Sequence, residues 1–158
     1  MDNYIKMHKD MHERNYNTFA GKSLVRHIPI IDKIIEQYEC TTFLDYGCGK
    51  ALHHPKRWKF DKYDPCYAPF SKKPHGVYDL VICTDVMEHI PEYDIERVII
   101  DLFQYTEKFL FCSICTRAAN KRLPNGQNAH STIKTQDWWE NKFALIFNNQ
   151  KNINLIFS

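Results

Sequence analysis

Three short apolar segments of this chain each end near an aspartate, and this repeated pattern is the strongest constraint on its fold. The aspartates are Asp45, Asp64 and Asp85. The third segment, 78–83, is apolar enough to be buried on both faces, as the strands of parallel sheets are. Because the carboxyl ends of parallel strands lie at one edge of a sheet, we expect the three aspartates to border a common ligand site.

Segments with helical periodicity alternate with these strands. The predicted helices cover residues 1–14, 23–38, 94–103 and 135–143, and the predicted strands cover 41–44, 58–63, 78–83 and 109–114. Residues 144–147 and 153–157, joined by a polar turn, are predicted to form a closing β-hairpin. The pattern therefore predicts an α/β fold with a reduced, Rossmann-like doubly wound sheet, mostly parallel with a C-terminal antiparallel β-hairpin and N-terminal helices.

The length of 158 residues predicts a single domain over 1–158. Its predicted parts are N-terminal helices over 1–39, a cofactor-binding core over 40–115, a substrate loop and helix over 116–143 and a closing hairpin over 144–158. No apolar run is long enough to span a membrane, and the first residues lack the apolar segment of a signal peptide. We therefore expect a cytoplasmic protein without a membrane partner.

Gly47 and Gly49 follow the first predicted strand, and they are two of only five glycines in the chain. Glycine has no Cβ, so a ligand can lie against its backbone. Asp64 lies 15 residues after Gly49, close to where an acid at the end of a second strand holds ribose hydroxyls. The third glycine of the dinucleotide fingerprint and the spacing of a P-loop are both missing. The pattern favours a nucleoside ligand over a phosphate-centred site.

Segments 43–49, 63–65 and 78–90 together resemble the class I S-adenosylmethionine-dependent methyltransferases. The first resembles that family's motif I, the second its ribose-binding strand end, and the third its fourth-strand motif. The resemblance covers roughly residues 40–115. It implies that S-adenosylmethionine is the cofactor, that S-adenosylhomocysteine is the product, and that a methyl group passes to an O or N atom of a small-molecule acceptor. In its length and in the general character of its sequence, the chain also resembles small methyltransferases encoded by bacteriophages.

The resemblance assigns cofactor contacts to residues in all three segments. It implies that Asp45, Tyr46, Gly47, Cys48 and Gly49 border the methionine moiety, that Asp64 binds the ribose with Pro65 beside the adenine, and that Thr84, Asp85 and Val86 close the pocket. The chain departs from the family pattern in a short first crossover, 50–56, and in the lack of a third strand before Tyr78. These departures leave the adenine-reading acid unidentified and predict a more open pocket.

Glu88, His89 and His130 are the candidate catalytic residues. A helical turn after Asp85 would make Glu88 and His89 face the same way, and a histidine can act as a general base near neutral pH. His130 lies in a polar loop that the resemblance places over the substrate. The alternatives are structural: packing against the cofactor for His89, and simple surface exposure for His130.

No metal site is predicted, because the Cys112-x-x-Cys115 pair has no second pair at zinc-finger spacing. The net charge of +2 is too small to indicate nucleic-acid binding. A basic rim at the mouth of the pocket would favour an anionic acceptor, and its candidate members are Arg117, Lys121, Arg122, Lys72 and Lys73. The oligomeric state is not predicted.

Three other functions compete with the methyltransferase. A non-catalytic S-adenosylmethionine-binding regulatory or scaffold protein stays open, because the sheet looks shortened. A nucleoside-binding oxidoreductase also stays open, although the missing third glycine disfavours it. A DNA methyltransferase is disfavoured, because segment 64–67 resembles its Asp-Pro-Pro-Tyr motif but follows the second strand instead of the fourth.

Overall fold

The computed structural model describes residues 2–148 and 150–158, and in these ranges it has an α/β fold with a five-stranded, all-parallel sheet. The strands are β1 (Phe43–Tyr46), β2 (Asp61–Tyr63), β3 (Tyr78–Thr84), β4 (Thr106–Ile114) and β5 (Asn152–Phe157). The α-helices are α1 (Asp2–Arg14), α2 (Ile28–Gln37), α3 (Glu92–Tyr105) and α4 (Gln136–Phe147). The predicted α/β class is confirmed. No helix in the described ranges is long and apolar enough to cross a membrane.

The strand order is β2-β1-β3-β4-β5. The chain passes from β1 outward to β2, and then crosses back to β3 on the other side of β1. The direction of progress through the sheet therefore reverses between β1 and β3. In open parallel sheets, a reversal of this kind creates a crevice at the carboxyl ends of the strands, where ligands bind.

Helices cover both faces of the central strands. Leu80 and Ile82 of β3 pack in the same cluster as the buried residues of α2. Val81 and Cys83 point to the opposite face and pack with α3 and α4. All four strand residues are fully buried, which confirms that this strand is covered on both faces.

The predicted C-terminal hairpin is wrong. Residues 144–147 continue α4, and β5 pairs with β4 in parallel. Trp139, Phe143 and Phe147 recur every four residues and are buried in one cluster, so the helical period outweighs the strand preference of the short apolar run. Asn148 then ends the helix in the left-handed conformation.

Several element boundaries also differ from the predictions. β1 ends at Tyr46, so Asp45 and Tyr46 lie inside the strand, and β2 has only three residues. The helix predicted over 23–38 is divided into a 3-10 helix, Lys22–His27, and α2. Helix α3 begins before Asp94, and Pro91 occupies the N-cap position.

Two predictions about the connections between strands are confirmed for the described residues. No helix forms between Gly47 and Phe60. Between Asp64 and Tyr78 the chain forms only a short 3-10 helix, Ala68–Phe70, and no third strand. Both connections therefore lack further α-helices and strands, as the spacing of the sequence predicted.

Candidate functional site

A cavity of about 350 Å³ lies at the carboxyl ends of β1, β2 and β3, where the strand order reverses. All ten predicted cofactor-binding residues border it, namely Asp45, Tyr46, Gly47, Cys48, Gly49, Asp64, Pro65, Thr84, Asp85 and Val86. Among the predicted catalytic residues, His89 borders this cavity, and His130 borders a second one. The volume lies within the usual range of small-molecule sites, about 300–1,000 Å³.

Asp64, at the end of β2, is oriented by two backbone amides. The Gly49 amide donates to its Oδ2 atom over 2.8 Å, and the Cys66 amide donates to its Oδ1 atom over 2.8 Å. Burial raises the pKa of Asp64 to about 6, although the amide hydrogen bonds oppose the shift. Each carboxylate oxygen has a second acceptor position. Asp64 can therefore accept hydrogen bonds from ligand hydroxyls while the amides hold it in place.

The two glycines of residues 46–50, a segment that we call the glycine loop, make room for other parts of the chain. A Cβ atom on Gly47 would lie 2.4 Å from Cγ2 of Val86, and one on Gly49 would lie 2.2 Å from the carbonyl oxygen of Phe19. Both glycines also have positive φ values, 81° and 55°. The sequence alone explains these glycines by the approach of a ligand. The structure gives a second reason, which is close packing of protein atoms.

Lys50 fastens the end of α1 to the glycine loop. Its Nζ atom donates to the carbonyl oxygens of His12, Asn15 and Thr18 over 3.0, 3.0 and 2.7 Å. Carbonyls at the end of a helix lack helical partners, and a positive charge is favourable there. No sequence pattern indicated this role. Helix α1 also borders the cavity through side chains such as Tyr4.

Asp45 forms a buried pair with a histidine that sequence reasoning also missed. Its Oδ2 atom lies 2.6 Å from Nε2 of His54, and no described residue donates to its Oδ1 atom. Burial raises the pKa of Asp45, and the hydrogen bond to His54 opposes that shift. The one available signal was the histidine pair, His53 and His54, in the short crossover. Asp45 thus borders the cavity, and its Oδ1 atom has no hydrogen-bond donor among the described residues.

Asp85 turns the chain at the end of β3. Its φ is 53°, in the left-handed region that aspartate tolerates better than most residues. Its Oδ1 atom accepts a hydrogen bond from Oγ of Ser113 over 2.9 Å, and Arg26 donates to both carboxylate oxygens over 3.3 and 3.1 Å. These contacts fix the turn that leads to Val86 and to the predicted catalytic residues.

Glu88, His89 and His130, which we call the histidine–glutamate cluster, lie together in the structure. One potential ligating atom of each lies within 4.8 Å of those of the other two. The Nδ1 atom of His89 is 2.8 Å from the carbonyl oxygen of Ala129, and that of His130 is 2.5 Å from the carbonyl oxygen of Arg117. A carbonyl oxygen only accepts, so each Nδ1 carries a proton, and in a neutral ring the Nε2 atom is then the acceptor.

Burial shifts the pKa values of Glu88 and His89 in this cluster. Glu88 is 1% exposed; its Oε1 atom accepts from the amide of Cys115 over 3.2 Å, and its Oε2 atom has no partner among the described residues. Burial, reinforced by Asp85, raises the pKa of Glu88 to about 8. Burial, reinforced by His8 and then His130, lowers the pKa of His89 to about 3. His89 is therefore a neutral imidazole near pH 7 and a weak general base.

Hydrogen bonds attach the loop that carries His130 to the turn after β3. Thr132 donates its amide to the Glu88 carbonyl over 3.0 Å and its hydroxyl to the Ile90 carbonyl over 2.6 Å. The side-chain oxygen of Asn128 accepts from the amide of His130 over 2.9 Å. The cluster is thus held from both sides by contacts that do not use its acceptor atoms.

The predicted basic rim lies beside the cavity only in part. Lys73 pairs with Asp101 at 3.4 Å, and both residues border the cavity. The Nζ atom of Lys121 lies 5.4 Å from the ring centroid of Phe19, which also borders it. Arg122 instead donates to a backbone carbonyl in its own loop.

Comparisons of this chain with protein-family models, with curated proteins and with solved structures find no match.

Proposed function

We propose that this chain is an S-adenosylmethionine-dependent methyltransferase that methylates an O or N atom of a small-molecule acceptor. The observation that carries the proposal is the meeting of three sequence segments, each resembling a different motif of that family, around a single cavity. The cavity lies where the strand order reverses, which is the usual ligand position in such sheets. We also propose that the five-stranded parallel sheet is a reduced form of the Rossmann-like sheet.

The residues around the cavity fit the chemical groups of this cofactor. Asp64 has acceptor positions for two ribose hydroxyls, and its orientation is fixed by backbone amides. Asp45 has an oxygen without a donor among the described residues, which suits the ammonium group of the methionine moiety. Pro65 borders the cavity beside Asp64 and offers an apolar surface to the adenine. When bound, S-adenosylmethionine supplies a methyl group on a positively charged sulfur.

The acceptor site is proposed on the side of the cavity that His89 borders. The His89 ring lies 4.8 Å from the His130 ring, centroid to centroid. His130 in turn borders a second cavity of about 530 Å³. The two histidines therefore lie between a cavity suited to the methyl donor and one suited to an acceptor. Their part in the reaction is to position the acceptor atom, which is a large share of what such an enzyme contributes.

Calorimetry tests the donor site without knowledge of the acceptor. We expect S-adenosylhomocysteine to bind in the micromolar range and NAD not to bind. Asp64→Ala removes the charged acceptor for the ribose and should weaken binding by about tenfold or more. Asp137→Ala is the matched control, because Asp137 is exposed and does not border the cavity, and it should leave the affinity unchanged.

A folded wild-type chain that does not bind S-adenosylhomocysteine would contradict the proposal. Binding by Asp64→Ala at wild-type affinity would remove the ribose assignment. A second candidate function, a non-catalytic S-adenosylmethionine-binding regulatory protein, is favoured by the lack of a third strand in the described residues. It predicts cofactor binding with no S-adenosylhomocysteine formed from any of a panel of small hydroxyl and amino compounds.

A further inference from the structure

We propose that Glu88, His89 and His130 form the binding site of a divalent transition-metal ion, and that this ion holds a hydroxyl group of the acceptor. The site itself is inferred from the described residues alone. The assignment of its ligand to the methyl acceptor rests on the proposed function.

The first argument is the arrangement of ligand atoms. Each of the three residues offers an atom within 4.8 Å of the atoms of the other two. Two atoms that bind one ion at about 2.0–2.2 Å lie at most about 4.4 Å apart, so side-chain shifts of a few tenths of an ångström bring all three atoms to one ion. Glu88 is almost fully buried, and no described residue donates to its Oε2 atom. A buried carboxyl oxygen without a hydrogen-bond partner needs one, and the two imidazoles lie close to the carboxyl group of Glu88.

The second argument is the orientation of the two imidazoles. Both rings donate Nδ1–H to a backbone carbonyl, His89 to that of Ala129 and His130 to that of Arg117. Histidines that bind metals are typically held in this way, because a hydrogen bond from one ring nitrogen fixes the tautomer and directs the other nitrogen at the ion.

The ligand set indicates the class of metal. Two imidazoles and one carboxylate favour Mn²⁺, Fe²⁺, Co²⁺ or Zn²⁺, whereas Mg²⁺ and Ca²⁺ prefer oxygen ligands. Three protein ligands also leave coordination positions open, which is the pattern of catalytic rather than structural sites. An open position would accept water or an oxygen of a substrate.

The position of the cluster indicates what the open site would bind. His89 borders the cavity proposed for the methyl donor, and His130 borders the second cavity. A hydroxyl oxygen bound to the ion would therefore lie between the two. A bound metal ion makes such a hydroxyl easier to deprotonate at neutral pH, and the released proton would pass to solvent. We accordingly expect the acceptor to be a hydroxyl compound, methylated on oxygen.

Binding of Co²⁺ to the full chain, after removal of metals with a chelator, tests the site. We expect about one Co²⁺ per chain, with visible absorption bands typical of nitrogen and oxygen ligands and no thiolate charge-transfer band. His130→Asn and Glu88→Gln should each weaken Co²⁺ binding by about tenfold or more. Catechol, a chelating diol, should shift the bands while the ion stays on the chain.

His75→Asn is the matched control, because His75 is exposed and lies outside the cluster. It should bind Co²⁺ like the wild type. Thermal melts check that each variant is folded, and His130→Asn keeps the test decisive if Glu88→Gln unfolds, because His130 is partly exposed.

Calorimetry with S-adenosylhomocysteine on the same samples separates this inference from the proposed function. A chain that binds S-adenosylhomocysteine but not Co²⁺, or binds Co²⁺ equally in the cluster variants, overturns the metal site alone. A chain that binds Co²⁺ at the cluster but not S-adenosylhomocysteine supports the site and overturns the methyltransferase. An unchanged spectrum with catechol overturns the assignment of a hydroxyl acceptor.

Discussion

The glycine loop and the histidine–glutamate cluster lie near the same edge of the sheet. They differ in whether protein atoms fill their close contacts and hydrogen-bond positions. At the glycine loop, protein atoms fill the close approaches: the Phe19 carbonyl lies against Gly49, and Lys50 is surrounded by backbone carbonyls. In the cluster, the Oε2 atom of Glu88 has no described partner, and the hydrogen bonds of both histidines use Nδ1. The first region thus contributes to stability, whereas the second leaves a buried side-chain oxygen of Glu88 without a partner among the described residues.

Gly49→Ala, in the glycine loop, should have the largest effect on stability. The new Cβ would lie 2.2 Å from the Phe19 carbonyl oxygen at a positive φ of 55°, so we expect a loss of about 3 kcal/mol in the free energy of unfolding. Urea denaturation measures this loss. Gly126→Ala is the matched control: its φ is 85° and nothing lies within 4 Å of the new Cβ, so it should cost only about 1 kcal/mol. Equal costs would contradict the close packing.

Lys50→Met should destabilise the chain next most strongly. The methionine keeps the length of the side chain but removes the donor that three backbone carbonyls share, and we expect a loss of about 2 kcal/mol in the free energy of unfolding. Hydrogen exchange should show α1 losing protection before the sheet does. Lys56→Met, at an exposed position in the same crossover, should change stability by less than about 0.5 kcal/mol.

The pH dependence of S-adenosylhomocysteine binding tests Asp64, which accepts a hydrogen bond from the Gly49 amide of the glycine loop. The pKa of Asp64 is raised to about 6 by burial, and only the deprotonated carboxylate accepts from both ribose hydroxyls. Affinity should therefore fall as the pH falls through 6, by about tenfold between pH 7 and pH 5. Asp64→Asn resembles the protonated form, so it should bind weakly at both pH values. An affinity of the wild type that does not change with pH would remove the role of Asp64.

Arg26→Gln should have the smallest effect. The Arg26 side chain is 51% exposed where it pairs with Asp85, and exposed ion pairs contribute little in water. We expect a loss of about 0.5 kcal/mol in the free energy of unfolding, measured by thermal melting, with Ser113 still holding Asp85. A loss as large as that for Lys50→Met would show that the turn after β3 depends on Arg26.

The central strands β3 and β4 could be predicted from the sequence because they contain apolar runs that are buried on both faces. The C-terminal part could not be predicted, because the apolar run 144–147 is too short to distinguish a strand from the end of a helix. The spacing of Trp139, Phe143 and Phe147 was the signal that favoured a helix.

The candidate site also has features that could be predicted from the sequence and features that could not. The three aspartates could be predicted to lie together, because the carboxyl ends of neighbouring parallel strands share one edge of the sheet. The partners of Lys50 and the proximity of His89 to His130 could not be predicted. Both depend on how the segment after α1 and the loop before α4 pack on that edge, and no local pattern in the sequence records such packing.

A crystal structure of the chain with S-adenosylhomocysteine tests the proposed donor site most directly. We expect the ligand in the cavity at the ends of β1, β2 and β3, with both ribose hydroxyls at hydrogen-bond distance from Asp64 and the sulfur on the side of His89. A ligand bound elsewhere, or bound there with its ribose away from Asp64, would contradict the proposed site.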